Sequence, residues 1–401
     1  MRPVSDLLSI DEALERILAR VRPLASETVA LEEAAGRVLA EPAVASVDLP
    51  PFASSAMDGF AICAADAPAT LPVVERIAAG RPASRALRPR EAASIATGAV
   101  VPEGADAVVP VEYVVVYDNE VEIPEPVGVG ANVRPRGGDV RAGDVVLGAG
   151  TRIGAAQIGA LAAAGVAAVT CGGRPRAAVV TTGTELRPPG EPLSPGQIYE
   201  SNGPMLEAQL RAAGADVERL PPVEDDPDAH RRALERALEA DLVVTSGGVS
   251  VGPHDLVRRV EADLGVEEVF WRVAVKPGKP ISFGVRGATL VFGLPGNPVS
   301  ALVGFELFVR PAVAALQGAR RPEPSYETGR LAVSLRRNAA RDELVRARRA
   351  AGPGGTELHP VGGQESHMIV RAAAADALVL VPRGEGELAA GEEVRYLRLE
   401  A

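Results

Sequence analysis

The sequence predicts a multi-domain α/β fold. Its parts are a central doubly wound, mostly parallel α/β domain, a β-rich insertion module, a helical linker domain and a small C-terminal β-barrel. Three observations carry this expectation. From Arg174 onward, strand-like apolar runs alternate with amphipathic helical runs, the pattern of a parallel sheet covered by helices. Before that point, Val-rich runs between Pro and Gly turns interrupt two helical stretches, as an inserted β module does. After Arg321 the alternating pattern resumes without helices. The 401-residue length suits about two to four domains, each able to bury a core. The predicted boundaries are 1–47 with 141–173 for the helical linker, 48–140 for the insertion, 174–320 for the α/β domain and 321–401 for the barrel.

The first helix opens on a capping box, Ser9 with Glu12, carries Ile10, Ala13, Leu14, Ile17, Leu18 and Val21 at helical spacing, and is expected to end at Pro23. A second is expected over Leu31–Leu39. Residues 153–173 contain no charge, but the run is mostly Ala and Gly, with Gly165 as a helix stop. Such residues supply too little transfer energy for a membrane span, so a buried helix followed by a strand is expected. In the central domain the strands are RAAVVTT, ADVERL, DLVVTS, VEEVFWRVAV and TLVFGL. The helices are GPMLEAQLRAAG, DAHRRALERALEA, HDLVRRVEADLG and PVSALVGFELFVRPAVAAL. LAVSL, ELVRARRA, TELHPV, ALVLVP and EVRYLRLE are the terminal strands.

Composition limits function. Net charge is −11, which argues against a general nucleic-acid surface, since phosphate neutralisation needs a basic face. All but two of the 42 basic residues are arginine, and the two lysines, Lys276 and Lys279, stand together in KPGKP. Cys63 and Cys171 are far apart, which excludes a disulfide framework or thiolate zinc site and suits a reducing cytosol. The N-terminal stretch has no signal-peptide pattern.

Ligands of open α/β sheets bind beyond the carboxyl ends of the strands. Three such ends carry Gly-rich loops here: TTGTEL with Glu185, SGGVSVGPHD with Gly247, Gly248, Ser250 and Asp255, and GLPGNPVS with Gly296, Asn297 and Ser300. Gly-rich backbone and helix N-termini cradle oxyanions. Asp58, Glu185, Asp225 and Asp255 lie in turn-like sequence, where they cap turns or, beside phosphates, hold Mg²⁺. His230 reads as lying on an exposed helix face, and His254 as a cap. GVSVG also matches the G-x-S-x-G elbow, with His359 and His367 late enough to act as base, so a hydrolase is an alternative reading.

Together these motifs resemble the molybdopterin molybdenumtransferase family, which includes MoeA and the gephyrin E domain. The matching segments are SSAMDGFAI, ATGAVVPEGADAVV, TTGTEL, QIYESN, SGGVSVGPHD, KPGKP, GLPGNPVSA and RDELVRARR, spread over essentially the whole chain. The resemblance implies a central domain of molybdopterin-binding type and a cytoplasmic homodimer. The implied reaction is insertion of molybdate into adenylylated molybdopterin, with Mg²⁺-assisted release of AMP. It places Asp58, Thr97, Glu185, Asp225, Asp255, Lys276 and Lys279 at the family's functional positions, with Glu185, Asp225 and Asp255 as Mg²⁺ ligands. Gly247, Gly248, Ser250, Gly296, Asn297, Ser300, Arg346 and Ser366 fall at its substrate-binding positions. Asp58 and Thr97 are implied to serve the partner subunit's site. The implied partners are a molybdopterin adenylyltransferase and acceptor molybdoenzymes, with neither nucleic acid nor membrane. Arg272, Val370 and Arg371 depart from the family's usual residues at their positions. A non-catalytic, molybdopterin-binding scaffold is the other alternative.

Overall fold

The computed structural model describes residues 7–247, 256–352 and 354–399. It divides into two compact units: residues 28–35 with 41–170, and the remainder of the chain. Helix α1 (Ile10–Leu18) starts at the predicted capping box: Ser9 N–H donates to Glu12 Oε2 at 2.7 Å and Glu12 N–H to Ser9 Oγ at 3.1 Å. It ends at Leu18, five residues before Pro23, capped by Ala19, although Val21 beyond it is still buried. The expected helix over Leu31–Leu39 does not form. A 3₁₀ turn at Leu31–Glu33 is stopped at Gly36, whose φ of 78° is left-handed, and Arg37 then turns inward to donate to the Gly172 carbonyl at 2.8 Å.

The smaller unit holds a six-stranded sheet of β1 (Gly59–Ile62), β2 (Ala69–Ile77), β3 (Ala92–Ile95), β4 (Ala107–Pro110), β5 (Val115–Val116) and β6 (Glu120–Ile123), in the order β4-β1-β3-β2-β6-β5. Apolar side chains on its two faces build separate cores, one around Phe60, Leu71 and Ile123 and the other around Ile77, Ile95 and Val108. Helix α2 (Ala155–Ala163) and the turn at Gly165 fall where predicted, but only Leu161 of the helix is buried. The expectation of a buried helix is therefore corrected. An Ala/Gly surface has little apolar area to hide, so leaving it in water costs little.

The central sheet of the larger unit has the order β8-β7-β9-β12-β11-β10, from β7 (Arg176–Thr181), β8 (Asp216–Arg219), β9 (Leu242–Ser246), β10 (Glu267–Trp271), β11 (Ser282–Arg286) and β12 (Thr289–Leu294). The first four in that order are parallel, while β11 and β10 run antiparallel at one edge. Strand alternation explains the double winding. Ala177, Val179, Leu242, Val244, Leu290 and Phe292 face one way, against α1, α3 (Asn202–Ala213) and the helix Pro298–Leu316. Ala178, Val180, Val243 and Val291 face the other, against α4 (Pro227–Ala237) and α5 (Leu256–Asp263). The long helix, α6, has the length and apolarity of a membrane span, yet 78% of that window is buried within the protein, and it forms the spine of the core.

A closed barrel follows: β13 (Tyr326–Leu331), β14 (Asp342–Gly352), β15 (Gly355–Pro360), β16 (Ala377–Val381) and β17 (Glu393–Arg398). The pairings β14-β15-β13-β17-β16 are closed by β16 onto β14. Ala377, Val379 and Val381 point into the barrel, whereas Leu378 and Leu380 join the central core. The two-residue strand Val275–Lys276 adds to β14 and ties the KPGKP loop to the barrel.

Candidate functional site

A cavity of about 1080 Å³ opens where the parallel strands end. Its wall includes Thr181 and Thr182 at the end of β7, Ser246 and Gly247 at the end of β9, and Pro295, Gly296 and Asn297 after β12. Gly247 is required here: its φ is 99°, and a Cβ would stand 2.5 Å from the Thr182 carbonyl oxygen. Asn297 leads into α6 with Pro298 in the first turn, so the positive end of that helix lies on the wall.

Two carboxylates bring negative charge to the same cavity. Glu185 folds back over Gly183, its oxygens 2.6–2.8 Å from where a Cβ would sit, and Gly183 has φ 151°. Asp225 lies on the loop before α4, where Thr184 Oγ1 donates to its Oδ2 at 3.1 Å and links the two loops. Among the described residues, Arg259 of α5 is the only lysine or arginine on the wall.

Glu185, Asp225, Gly247, Gly296 and Asn297 are thus brought together as the sequence predicted. Gly248, Ser250 and Asp255 lie outside the described residues. The remaining predicted residues of this unit border the cavity rather than line it. Lys279 is exposed next to the lining residue Pro280, while Lys276 is held by Glu343 of β14, Nζ to Oε1 3.0 Å. Ser300 is buried in the first turn of α6, beneath Gly278. The Ser366 carbonyl accepts from Val299 N–H at 3.0 Å and docks its segment on the start of α6.

Arg346 does not line the cavity. The residue is 1% exposed, and its guanidinium donates to the carbonyls of Met368 at 2.9 Å, Gly363 at 2.8 Å and Glu365 at 3.3 Å. Burial pushes its pKa below the usual arginine range. It holds the segment that puts His367 and Ile369 on the wall, and its donors are spent there. In the other unit, Asp58 and Thr97 meet: Thr97 N–H donates to Asp58 Oδ1 at 2.7 Å, and both are exposed.

Sequence reading missed Thr182, Glu200, Asn202, Ser246 and Arg259 as lining residues. The E-S-N triplet at the start of α3 was the available signal for Glu200 and Asn202, but it reads equally as a helix cap. Glu200 does cap, accepting from Gly203 N–H at 2.6 Å through Oε1. It is buried, and desolvation raises its pKa against the opposing pull of Gly203 N–H and Arg219. His230, expected on an exposed face, is 1% exposed under the Asp225 loop, and burial lowers its pKa.

Nearby, Arg272 sits in a left-handed backbone, φ 83°, with its guanidinium 3.7 Å over the Trp271 ring.

A glycine-lined cavity at parallel strand ends, bearing carboxylates, places the central domain among oxyanion-binding α/β domains. Residues 178–315 match the model described as "Probable molybdopterin binding domain". Residues 8–165 match "MoeA N-terminal region (domain I and II)", and 328–399 match "MoeA C-terminal region (domain IV)". A molybdopterin molybdenumtransferase 2 of Mycobacterium tuberculosis is 39% identical, covering 96% of this chain and 98% of that protein. A molybdopterin molybdenumtransferase of Haemophilus influenzae is 35% identical over 97% of this chain and 98% of its own. The solved molybdopterin biosynthesis MoeA protein of Pyrococcus horikoshii OT3 superposes with a TM-score of 0.84 at 29% identity, covering 98% of this chain and all of that one. The chain belongs to the molybdopterin molybdenumtransferase (MoeA) family.

Proposed function

We propose that this enzyme inserts molybdate into adenylylated molybdopterin and releases AMP, the last step of molybdenum cofactor assembly. The observation that carries the reading is the cavity itself, with its glycine turns, helix N-terminus and paired carboxylates in one lining. The helix end and loop N–H groups orient oxyanions of the substrate, and Lys279, beside the cavity rim, supplies a compact positive charge. Lys276, fixed by Glu343, anchors the loop that presents Lys279.

The donor set fits Mg²⁺, which takes one or two carboxylates and fills its remaining positions with water and substrate phosphate. Glu185 and Asp225 would hold it, the latter through the oxygen not bound to Thr184, with Asp255 as a further proposed ligand. Bound there, Mg²⁺ would supply charge neutralisation at the phosphoanhydride.

We further propose a cytoplasmic homodimer. Supporting it is an apolar face on the smaller unit: Val145 and Val44, paired across a ribbon, are 60% and 43% exposed, and the ribbon packs by the exposed α2. In such a dimer Asp58 and Thr97 would serve the partner's cavity. An adenylyltransferase supplying the substrate and molybdoenzymes receiving the product are the corresponding proposed partners.

The test is direct. Purified protein given molybdate, Mg²⁺ and adenylylated molybdopterin should release AMP and yield cofactor that activates an apo-molybdoenzyme. Binding of molybdopterin with neither outcome would instead identify a non-catalytic scaffold. Lys279→Ala should abolish insertion while leaving the thermal midpoint unchanged, because the side chain is exposed and bonds nothing in the described structure.

A further inference from the structure

The sheet of the smaller unit ends in an open edge. Strand β5 pairs with β6 on one side, and among the described residues no strand pairs with its other side. The hairpin register decides which backbone groups face outward. Tyr117 N–H donates to the Glu120 carbonyl at 2.9 Å, and Val115 stands opposite Glu122, so residues 115 and 117 direct their N–H and C=O toward β6. Along an antiparallel strand these directions alternate. The N–H and C=O of Val116 therefore point away from the sheet, and Val114, extended at φ −132°, continues the same edge.

The side chains of this edge are apolar and uncovered. Val111, Tyr113, Val115, Val116 and Tyr117 are 47–71% exposed, whereas Val121, directly opposite Val116, is fully buried in a core of the sheet. Val116 thus stands at the rim of that core, open on the side where a further strand would lie. The other face of the hairpin is acidic: Glu120 and Glu122 alternate with Val121, and Tyr117 Oη donates to Glu122 Oε2 at 2.8 Å. Residues 111–125 hold five carboxylates and no base, and no basic residue occurs between Arg90 and Arg134. An open edge templates pairing, and charge of one sign selects what pairs. A second copy laid on β5 would set these carboxylates against their own kind, while a cationic strand would be attracted.

We propose that β5 is a docking edge for an extended, cationic segment of another protein, which adds a strand to this sheet. Main-chain hydrogen bonds to Val116 and Val114 hold the segment. Its residues alternate: apolar side chains cover Val116 and extend the core, and lysine or arginine side chains meet Glu120 and Glu122 on the opposite face.

The probe is a labelled, capped octapeptide of alternating arginine and valine, titrated into the intact protein by fluorescence anisotropy. Its glutamate–valine counterpart should not bind. The same arginine–valine peptide with every backbone nitrogen methylated keeps its charge but cannot pair, and should bind at least about tenfold more weakly, the loss expected for one or two hydrogen bonds. Val116→Lys keeps the backbone and repels the probe, and should weaken it by a similar factor. Val116→Pro removes only an outward N–H, a change edge strands tolerate, and should do the same. Absence of binding, equal binding of the methylated peptide, or binding that survives both substitutions overturns the proposal. So does a dimer that Val116→Lys dissociates in sedimentation, because a second copy then occupies the edge. Binding is read without turnover, so its outcome is independent of the transferase reading.

Discussion

At the scale of single residues, two buried ionisable groups beside the cavity bias stability in opposite directions with pH. His230 is held neutral by burial, against the charges of Asp225 and Asp226 and a hydrogen bond with the Glu224 backbone. Its folded pKa lies below the unfolded value of about 6.5, so the unfolded chain binds the extra proton first. Its contribution is complete above that value and is lost as pH falls below it. Thermal melts from pH 7.5 to 5 should fall less steeply for His230→Gln than for the wild type; identical slopes would remove His230 from the account. Glu200 runs the other way. Its folded pKa is raised above the model carboxylate value of 4.5, so its burial becomes a growing penalty as pH rises past that point. Glu200→Gln keeps an acceptor for Gly203 N–H and removes the charge. It should gain stability relative to wild type as pH rises past that point, measured as a difference in Tm that widens with pH until the folded carboxyl has ionised.

At the scale of elements, periodicity made most of the central domain legible, because the inner strands β7, β9 and β12 alternate into two real cores. The misses have local causes. The Leu31–Leu39 pattern is helical in spacing, but a left-handed glycine at its centre breaks it. The strand Ser282–Arg286 went unread because Gly284 interrupts its short run, and it joins β12 through a two-residue turn at Gly287, φ 60°. Glu185, Asp225, Gly247 and Gly296 were legible because loops at strand ends expose their chemistry in sequence. The place of Arg346 off the lining was not legible for the converse reason: nothing in RDELVRARR shows that a barrel strand directs this side chain onto three carbonyls. Its loss should therefore act through the segment it holds. Arg346→Ala leaves three part-buried carbonyls without their donor and opens a void at a buried site, so a loss of about 1–3 kcal/mol is expected in urea unfolding. Protease cleavage should appear first between residues 361 and 369. A variant that is fully stable but binds molybdate poorly would return Arg346 to the oxyanion wall.

At the scale of the whole molecule, the acidic composition and the chemistry of the cavity are reconciled by division of labour. Net charge of −11 belongs to a chain whose features suited to an anion are local: a helix end, glycine turns, one lysine at the rim and Arg259. The same division separates Asp58 and Thr97 from Glu185 and Asp225, since the two pairs belong to different compact units. In a two-fold symmetric dimer each unit can serve its own chain or its partner's, and symmetry makes these alternatives distinguishable. Asp58→Asn and Glu185→Gln chains should each be inactive alone. When the two are unfolded, mixed in equal amounts and refolded, half of the dimers are heterodimers. If Asp58 acts in the partner's cavity, every heterodimer contains one site with both carboxylates intact, and about a quarter of wild-type activity should return. If Asp58 acts within its own chain, no site in any dimer is whole and activity stays at the level of the single variants. Recovery also requires the chains to dimerise, so sedimentation of the mixture as a single dimeric species completes the measurement; a monomer throughout would overturn the shared site and the dimer together.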